Sequence, residues 1–588
     1  MADTARSKKW VWAGLAIAVF LMVGLRCVAL DSDAYPRLSW SSALLTDEGF
    51  YIHDARNRVL FGHPTDQFSN ALIMPVLDAV QTGMFHLFGV SVVSARAISV
   101  VLGLLTLPVF FDAMRRAFGL RPAVFALLLL GLDHVSLLYS RLALMDTPAA
   151  FVLVCAFWLW VKSGEGERAN RGKIWLALCG LALGACYGVR GLGALVYPVP
   201  MLLLAQEGWK ARRHGQAGES SRNPEWPGRL VCLVGGLGIA LGTYVVLWYL
   251  PHHDELKRVN HYYLFEQLVP HRLSIFLHNW TIGLFGDHRG LMPYLVRHEP
   301  VQTCLVSLWL AWRATVLFQR REERVRTAKE GVHADYLALW LLVFWILLCS
   351  IDYAPSRYYV LFLPAFAGLA GLTLSDVVRF VSTLKNRIAT PIYGLFVFHV
   401  AQTALHHLGI SGRLLPGLFG GACLVLTWFL LPRLRTVDGE EEGRHQAFIK
   451  AAPLAAVVVW CVVNLYWTGD WLVHISYRQR EADRWLAENL PANSVLIGAV
   501  TPGLTMNNRF VCVNVIQTLC NDHQPLERFA PAPRYVLILD DRWREVWWQR
   551  HYPEVIAPER RIHAFRGLLR PFFVIGVYKV PDEIKPER

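Results

Sequence analysis

The sequence has 588 residues, of which 54% are hydrophobic and 18% are charged, and its net charge is +13. Soluble proteins contain about 25% charged residues, so this composition excludes an ordinary soluble enzyme. Repeated apolar stretches of about 20 residues predict a polytopic α-helical membrane protein, whereas the strands of a transmembrane barrel would be short and alternating. The positive charge lies mainly in short loops between the apolar stretches, which argues against a nucleic-acid partner.

The first apolar stretch runs from Trp10 to Leu30. It is too long for a typical signal peptide and no small-residue cleavage site follows it, so we interpret it as an uncleaved first helix with a cytoplasmic N-terminus. The apolar stretches predict about thirteen transmembrane helices, at residues 10–30, 92–113, 122–139, 143–161, 174–189, 191–206, 230–250, 300–318, 335–351, 357–374, 389–406, 414–431 and 451–468.

The basic loops follow every second helix of this set, so they all fall on one side of the membrane, which the positive-inside rule assigns to the cytoplasm. The opposite side receives the loop at 31–91, the segment at 252–300 and the region after the last helix. We therefore predict a transmembrane domain at 1–469 and an extracytoplasmic α/β domain at 470–588.

The C-terminal region shows the signals of a small α/β domain. A helical period runs from Tyr477 to Leu490, and Asp541 could cap a second helix. Four segments resemble strands, namely Val495–Val500, Phe510–Ile516, Tyr535–Leu539 and Phe572–Val580. Eleven cysteines are scattered without metal-ligand spacing, and only Cys512 with Cys520 leaves a disulfide open.

Two adjacent carboxylates, Asp47 and Glu48, follow the first predicted helix and would lie at a water–lipid boundary. Neighbouring side chains of a helix point about 100° apart, so only one of them can face a given reacting atom. We predict Asp47 and Glu48 as the catalytic residues, with Asp47 as the general base. The alternative is a helix N-cap formed by Thr46 or Asp47. The residues from Phe50 to Leu60 have the pattern of an amphipathic helix at the membrane surface.

Three arginines lie on the side that the positive-inside rule depletes of cations, namely Arg141, Arg190 and Arg357. A planar guanidinium suits phosphate, and ionisable residues within or beside a membrane are functional candidates. Asp146 lies in the same predicted turn as Arg141 and could orient it. The alternatives are a structural Arg141–Asp146 ion pair and snorkelling of Arg190 and Arg357 to headgroups.

The segment from His252 to His298 is rich in histidine, but its spacing fits no standard metal site. Interfacial polar residues explain these histidines better, so no metal ligand is predicted.

Three motifs together resemble the GT-C superfamily of membrane glycosyltransferases: the acid pair Asp47-Glu48, the turn from Ser140 to Asp146, and the segment from Arg357 to Pro364. The nearest matches are protein O-mannosyltransferases and aminoarabinose-transferase-like enzymes. The resemblance covers the chain to about residue 470 and is most specific over 40–200.

The resemblance implies a GT-C fold and a polyprenyl-phosphate sugar donor. By position, Asp47 matches the catalytic acid of these enzymes, Glu48 its usual neighbour, and Arg141 the arginine that contacts the donor phosphate. Arg190 falls where relatives often have lysine. No cofactor is certain, and a divalent metal is left open because the requirement varies within the superfamily.

The sequence therefore predicts a hexosyl- or pentosyltransferase that moves a sugar to an extracytoplasmic glycan, lipid or protein by a single displacement. Asp47 would take the acceptor proton, while Arg141, Arg190 and Arg357 would bind the phosphate. The competing classes are a transporter or flippase of a lipid-linked anion and a non-catalytic scaffold. Similarity to bacterial members predicts a multi-pass protein of the inner (plasma) membrane.

Overall fold

A computed structural model describes residues 2–38, 44–64, 70–165, 169–215, 226–261, 295, 298–318, 321–350, 355–376 and 440–581, with short gaps at 518–519, 522, 530–531, 541 and 569–572. The helices predicted at 389–406 and 414–431 lie outside the described residues.

Helices and the turns between them make up the described part of the chain as far as residue 473. In chain order they are α1 (Ala2–Cys27), α2 (Gly49–Phe61), α3 (Pro75–Phe88), α4 (Val92–Phe118), α5 (Leu120–Gly131), α6 (His134–Tyr139), α7 (Asp146–Gly164), α8 (Ala169–Val189), α9 (Pro198–Gly215), α10 (Trp226–Tyr244), α11 (His253–His261), α12 (Pro300–Phe318), α13 (Arg321–Ser350), α14 (Leu363–Ser375) and α15 (Glu440–Val473).

Within the described part of the chain, six helices are long and apolar enough to cross a membrane, by length and composition. The polytopic helical fold is thereby confirmed, whereas the count of thirteen is not. One reason lies in the third predicted helix, at 122–139. It is divided, because α5 ends at Gly131 and Asp133 caps a new helix, accepting a hydrogen bond from the Ser136 backbone N–H over 2.7 Å.

Helices α8 and α10 pack backbone to backbone. A Cβ atom added to Gly180 would overlap the Leu233 carbonyl, and one added to Gly236 would overlap the Ala177 carbonyl. Small residues permit this close approach between membrane helices, where apolar burial alone gives little preference for protein over lipid.

Helix α2 forms in the segment of the sequence where an amphipathic helix was predicted. It does not lie at the membrane surface, however, but is buried in the protein. Its residues from Gly49 to Asn57 are all buried. Arg56 donates hydrogen bonds to the carbonyls of Asn508 (2.8 Å) and Phe510 (3.0 Å), and Asn57 donates to the carbonyl of Cys512 (2.8 Å). Two polar side chains of α2 are thus bonded to the C-terminal part of the chain.

A five-stranded sheet forms the C-terminal part, with the strand order β2-β1-β3-β5-β4. Its strands are β1 (Val495–Ile497), β2 (Val511–Val513), β3 (Tyr535–Leu539), β4 (Arg561–Arg566) and β5 (Val574–Lys579). Strands β1, β2 and β3 are parallel, while β5 runs antiparallel to β3 and β4. The small α/β region is therefore confirmed, although β4 was not predicted.

Helices lie against both faces of this sheet, as alternate strand residues point to opposite sides. The predicted helix at Tyr477–Leu490 is present as α16 (Arg478–Asn489), and α18 (Arg542–His551) follows β3. A short helix, α17 (Thr501–Leu504), lies between β1 and β2. The Asp541 cap falls outside the described residues. Cys512 and Cys520 are both buried, and the structure has no disulfide between them.

Leu45 joins the catalytic candidates to this sheet. It is 1% exposed and belongs to the apolar cluster that contains Leu486 of α16, Leu504 of α17 and Leu537 of β3. Because Leu45 precedes Asp47 by two residues, packing of the C-terminal region helps to fix the position of the carboxylate.

Candidate active site

Four charged side chains form one cluster, which we call the carboxylate–arginine cluster: Asp47, Asp146, Arg190 and Arg357. Arg357 Nη1 pairs with Asp47 Oδ2, and Arg357 Nε lies 3.8 Å from Asp146 Oδ2. Asp146 Oδ1 in turn pairs with Arg190 Nη1. Carboxylates and guanidinium groups therefore alternate along the cluster.

Different elements bring these residues together. Asp47 lies in a π-helical turn, Leu44–Glu48, which is kinked at Thr46 (φ −129°, ψ −118°). Asp146 begins α7, Arg190 follows α8, and Arg357 lies in a 3-10 turn, Ser356–Leu361, that leads into α14. The cluster therefore gathers at the ends of several helices, where the backbone changes direction.

Asp47 is the most accessible member of the cluster. Its side chain is 21% exposed, whereas those of Asp146, Arg190 and Arg357 are 0%, 4% and 4% exposed. A molecule that approaches the cluster would therefore meet Asp47 before the other three groups.

Tyrosines line the two guanidinium groups. Arg357 Nη2 donates a hydrogen bond to the Tyr51 hydroxyl over 3.2 Å. The guanidinium carbons of Arg190 and Arg357 lie 4.6 and 5.3 Å from the centre of the Tyr358 ring. Both distances are within the range of cation–π attraction, which holds the two cations in place without neutralising them.

Glu48 points away from this cluster into a buried ion pair with Arg96. Arg96 Nε and Nη2 donate to the two Glu48 oxygens over 2.6 and 2.7 Å, and the Ala143 backbone N–H donates over 2.8 Å. Arg96 also donates to the carbonyls of Leu30 and Ser32. Glu48 occupies the N-cap position of α2 but makes no side-chain capping bond there.

Arg141 holds the end of α1. It donates to the carbonyls of Leu25 (2.9 Å), Arg26 (3.1 Å) and Ala29 (2.9 Å), and its guanidinium lies 4.4 Å from the centre of the Trp471 ring. Burial lowers the pKa of Arg141 to about 10, so the side chain stays charged at neutral pH. These contacts satisfy carbonyls that a helix leaves open at its C-terminus.

The alternative of an Arg141–Asp146 ion pair is not found, because Asp146 pairs with Arg190 and Arg357. The structure thus brings together Asp47, Asp146, Arg190 and Arg357 from the predicted set, and it places Glu48 and Arg141 in separate contacts.

Sequence reasoning missed Arg96 and Tyr51. Arg96 carried a usable signal, since it lies inside the apolar stretch from Val92 to Val101, and a charge in such a stretch needs a buried partner. Tyr51 carried no comparable signal, because aromatic residues are common at the ends of membrane helices.

Among the described residues, one group of histidine and carboxylate side chains has the spacing of a metal site: Asp133, His134 and Glu299. A candidate position for the divalent metal left open by the sequence therefore exists, and it uses none of the members of the carboxylate–arginine cluster.

Comparisons with known proteins agree with this architecture. The family described as dolichyl-phosphate-mannose-protein mannosyltransferase matches residues 74–256. No curated protein matches the chain.

Two solved structures of ArnT share the fold of this chain. ArnT from Cupriavidus metallidurans bound to undecaprenyl phosphate has 17% sequence identity and a TM-score of 0.55, over 97% of this chain and 98% of that chain. The same protein in the apo state has 16% identity and a TM-score of 0.56, with the same coverage. An oligosaccharyltransferase, AglB from Archaeoglobus fulgidus in complex with an inhibitory peptide and a dolichol-phosphate, has 14% identity and a TM-score of 0.44, over 90% of this chain and 69% of that chain.

The chain thus has the fold of the GT-C superfamily, and the resemblance of its sequence to these membrane glycosyltransferases is confirmed.

Proposed function

We propose that this chain is a membrane glycosyltransferase that moves a sugar from a polyprenyl-phosphate donor to an acceptor. The observation that carries the proposal is the carboxylate–arginine cluster, in which one accessible carboxylate, Asp47, faces the buried cation of Arg357. The mannosyltransferase family match and the fold shared with undecaprenyl-phosphate-bound ArnT support the same class of donor.

Arg357 and Arg190 are proposed to bind the donor phosphate. Both guanidinium groups are buried, where a charge–charge attraction is weakened less by water than it is at a surface. Two carboxylates already balance these two cations within the cluster. A phosphate that binds there must therefore compete with Asp47 for Arg357, and this competition would release Asp47 for catalysis.

Asp47 is proposed to act as the general base. Its carboxylate pairs with the Arg357 guanidinium, and a carboxylate is a group that can accept a proton. As the acceptor oxygen or nitrogen bonds to the anomeric carbon, its proton passes to Asp47. The bond from the anomeric carbon to the phosphate oxygen breaks, and the electron pair leaves with the phosphate. A single step of this kind inverts the anomeric configuration.

Asp146 would orient the two arginines, because it contacts both guanidinium groups while it is itself buried. Glu48 and Arg141 are proposed to act indirectly. Glu48 and Arg96 fix the backbone beside Asp47, and Arg141 fixes the end of α1. These contacts favour positioning roles over the direct roles that the sequence predicted for them.

The orientation of the chain in the membrane is also part of this proposal. The alternation of basic loops supports a cytoplasmic N-terminus and an extracytoplasmic C-terminal region, with the domains divided at 1–469 and 470–588. We propose the inner (plasma) membrane, a hexose or pentose as the transferred sugar, and a glycan, lipid or protein as the acceptor.

The test is transfer from a panel of labelled polyprenyl-phosphate sugars by purified protein in a membrane extract that contains native acceptors. Label should move from one donor into product. Failure of every donor, with folded protein and confirmed acceptors, would contradict the proposal. Movement of labelled donor across vesicle membranes without product would favour a flippase instead.

A further inference from the structure

A second buried polar group lies where α6 and α12 begin. Asp133 caps α6, His134 is its first residue, and Glu299 immediately precedes α12. Each of the three is 1% exposed, and their ligand atoms all lie within 4.8 Å of one another. Two carboxylates that are buried this closely repel each other unless a proton or a cation lies between them.

Gln302 bonds the two carboxylates but leaves one oxygen unsatisfied. Its amide nitrogen lies 2.7 Å from Glu299 Oε2 and 3.2 Å from Asp133 Oδ2. Within the described part of the chain, Glu299 Oε1 has no hydrogen-bond partner, although it is fully buried. A buried carboxylate oxygen without a donor is costly, so this atom calls for a cation or for a proton shared with Asp133.

Asn464 fixes the tautomer of His134. The Asn464 amide nitrogen donates to the Trp460 carbonyl over 3.0 Å, so the amide oxygen faces His134. That oxygen accepts from both the backbone N–H (2.8 Å) and Nδ1–H (3.0 Å) of His134. The proton therefore lies on Nδ1, and the lone pair of Nε2 faces His298 Nδ1 at a hydrogen-bond distance. An imidazole whose other nitrogen donates a hydrogen bond is the usual arrangement of a metal ligand.

His298 brings a further nitrogen to the same position. Its Nδ1 lies 3.1 Å from His134 Nε2. Ligands of a tetrahedral zinc ion lie about 2.0–2.1 Å from the metal, which places two nitrogen ligands roughly 3.3 Å apart. The separation in the structure is a hydrogen bond and is close to that value, so an ion that replaces the proton between the two nitrogens needs only a rotation of the rings.

We propose that Asp133, His134 and Glu299 bind a divalent cation of the zinc type, with His298 as a fourth ligand. Two imidazole nitrogens and two carboxylate oxygens suit zinc better than magnesium or calcium, which prefer oxygen alone. The ion would balance the charge of the two carboxylates and join the start of α6 to the start of α12. The site does not rest on the proposed transferase activity.

The test measures metal binding directly, with protein that carries no polyhistidine tag. The protein is stripped with a chelator, loaded with Co²⁺ and desalted, and its metal content and visible absorption are then recorded. One equivalent of Co²⁺ should remain, with the absorption of a four-coordinate site, and Zn²⁺ should displace it. Wild-type protein that retains no metal would overturn the proposal and would favour a proton shared between Asp133 and Glu299.

Variants locate the metal. Glu299→Gln keeps the shape of the side chain and should weaken Co²⁺ binding at least tenfold, and His134→Gln should do the same. The control is His253→Gln, since His253 is an exposed histidine outside the group. The proposed site would be contradicted if folded Glu299→Gln bound Co²⁺ with the wild-type affinity. It would also be contradicted if His253→Gln lost as much Co²⁺ affinity as Glu299→Gln. If a variant fails to fold, the stoichiometry of the wild type still decides.

Discussion

Arg357 lies between two carboxylates, with its guanidinium paired to Asp47 on one side and its Nε 3.8 Å from Asp146 Oδ2 on the other. Because only Asp47 is appreciably exposed, a ligand can reach this arginine by displacing one carboxylate while the other holds it. The pair therefore links donor binding to the release of a base.

The first prediction concerns Arg357 itself. Arg357→Lys keeps the charge but loses the planar guanidinium, which donates to the Tyr51 hydroxyl and is suited to bind two phosphate oxygens at once. We expect the KM for the polyprenyl-phosphate donor to rise at least tenfold and kcat to fall. The matched control is Arg37→Lys, since Arg37 is an exposed arginine that pairs with Asp470. Equal kinetics for both variants would mean that Arg357 does not contact the donor.

Glu48 provides a prediction about stability. Glu48→Gln leaves Arg96 buried without its charged partner, and breaking such a pair costs about 3 to 5 kcal/mol. The unfolding temperature in detergent should fall markedly. Glu207→Gln breaks an exposed pair with Arg229 and should change stability by less than about 1 kcal/mol. A stable Glu48→Gln protein with no transfer would instead indicate a direct catalytic role for Glu48.

Arg141 separates a structural role from a phosphate-binding role. Arg141→Met removes three hydrogen bonds to the end of α1, so the unfolding temperature should fall. The dissociation constant of the donor should stay within about threefold of the wild type, because the guanidinium is occupied by carbonyls. A large loss of donor affinity at unchanged stability would restore the role that the sequence predicted.

Arg56 tests the link between α2 and the C-terminal region. Arg56→Met leaves the carbonyls of Asn508 and Phe510 without these donors, at about 1 to 3 kcal/mol for each buried group. We expect easier proteolysis of the C-terminal region and slower transfer, since Phe510 belongs to the apolar cluster that holds Leu45 beside Asp47. Arg509→Met, at an exposed neighbouring position, is the control. The link would be refuted if both variants were cleaved at the wild-type rate.

Much of the helical fold follows from simple sequence signals. The length of the apolar stretches predicts most of the long apolar helices that the structure describes, and helical periodicity predicts α16. The division of the third predicted helix was not predicted, because the capping by Asp133 is a local signal inside an apolar stretch. Strand β4 was also missed, since Arg561 to Arg566 is charged at both ends and pairs only with β5.

The candidate site was predicted in part, for a physical reason. An isolated cation on the depleted side of a membrane protein needs a partner, and this argument found Arg190 and Arg357. It could not say which carboxylate each cation meets, because those pairs join residues far apart in the chain. Arg141 is also an isolated cation on that side, but the partners that hold it are the open carbonyls at the end of α1. Charge alone does not distinguish the two cases.

The central claim is that Asp47 is the base of a glycosyl transfer, and the most direct measurement compares wild type with Asp47→Asn for both donor binding and transfer. Transfer should fall by about 10²- to 10⁴-fold. Donor affinity should be unchanged or tighter, because the carboxylate that competes for Arg357 has lost its charge. Transfer at the wild-type rate, or a parallel loss of donor binding, would contradict the account.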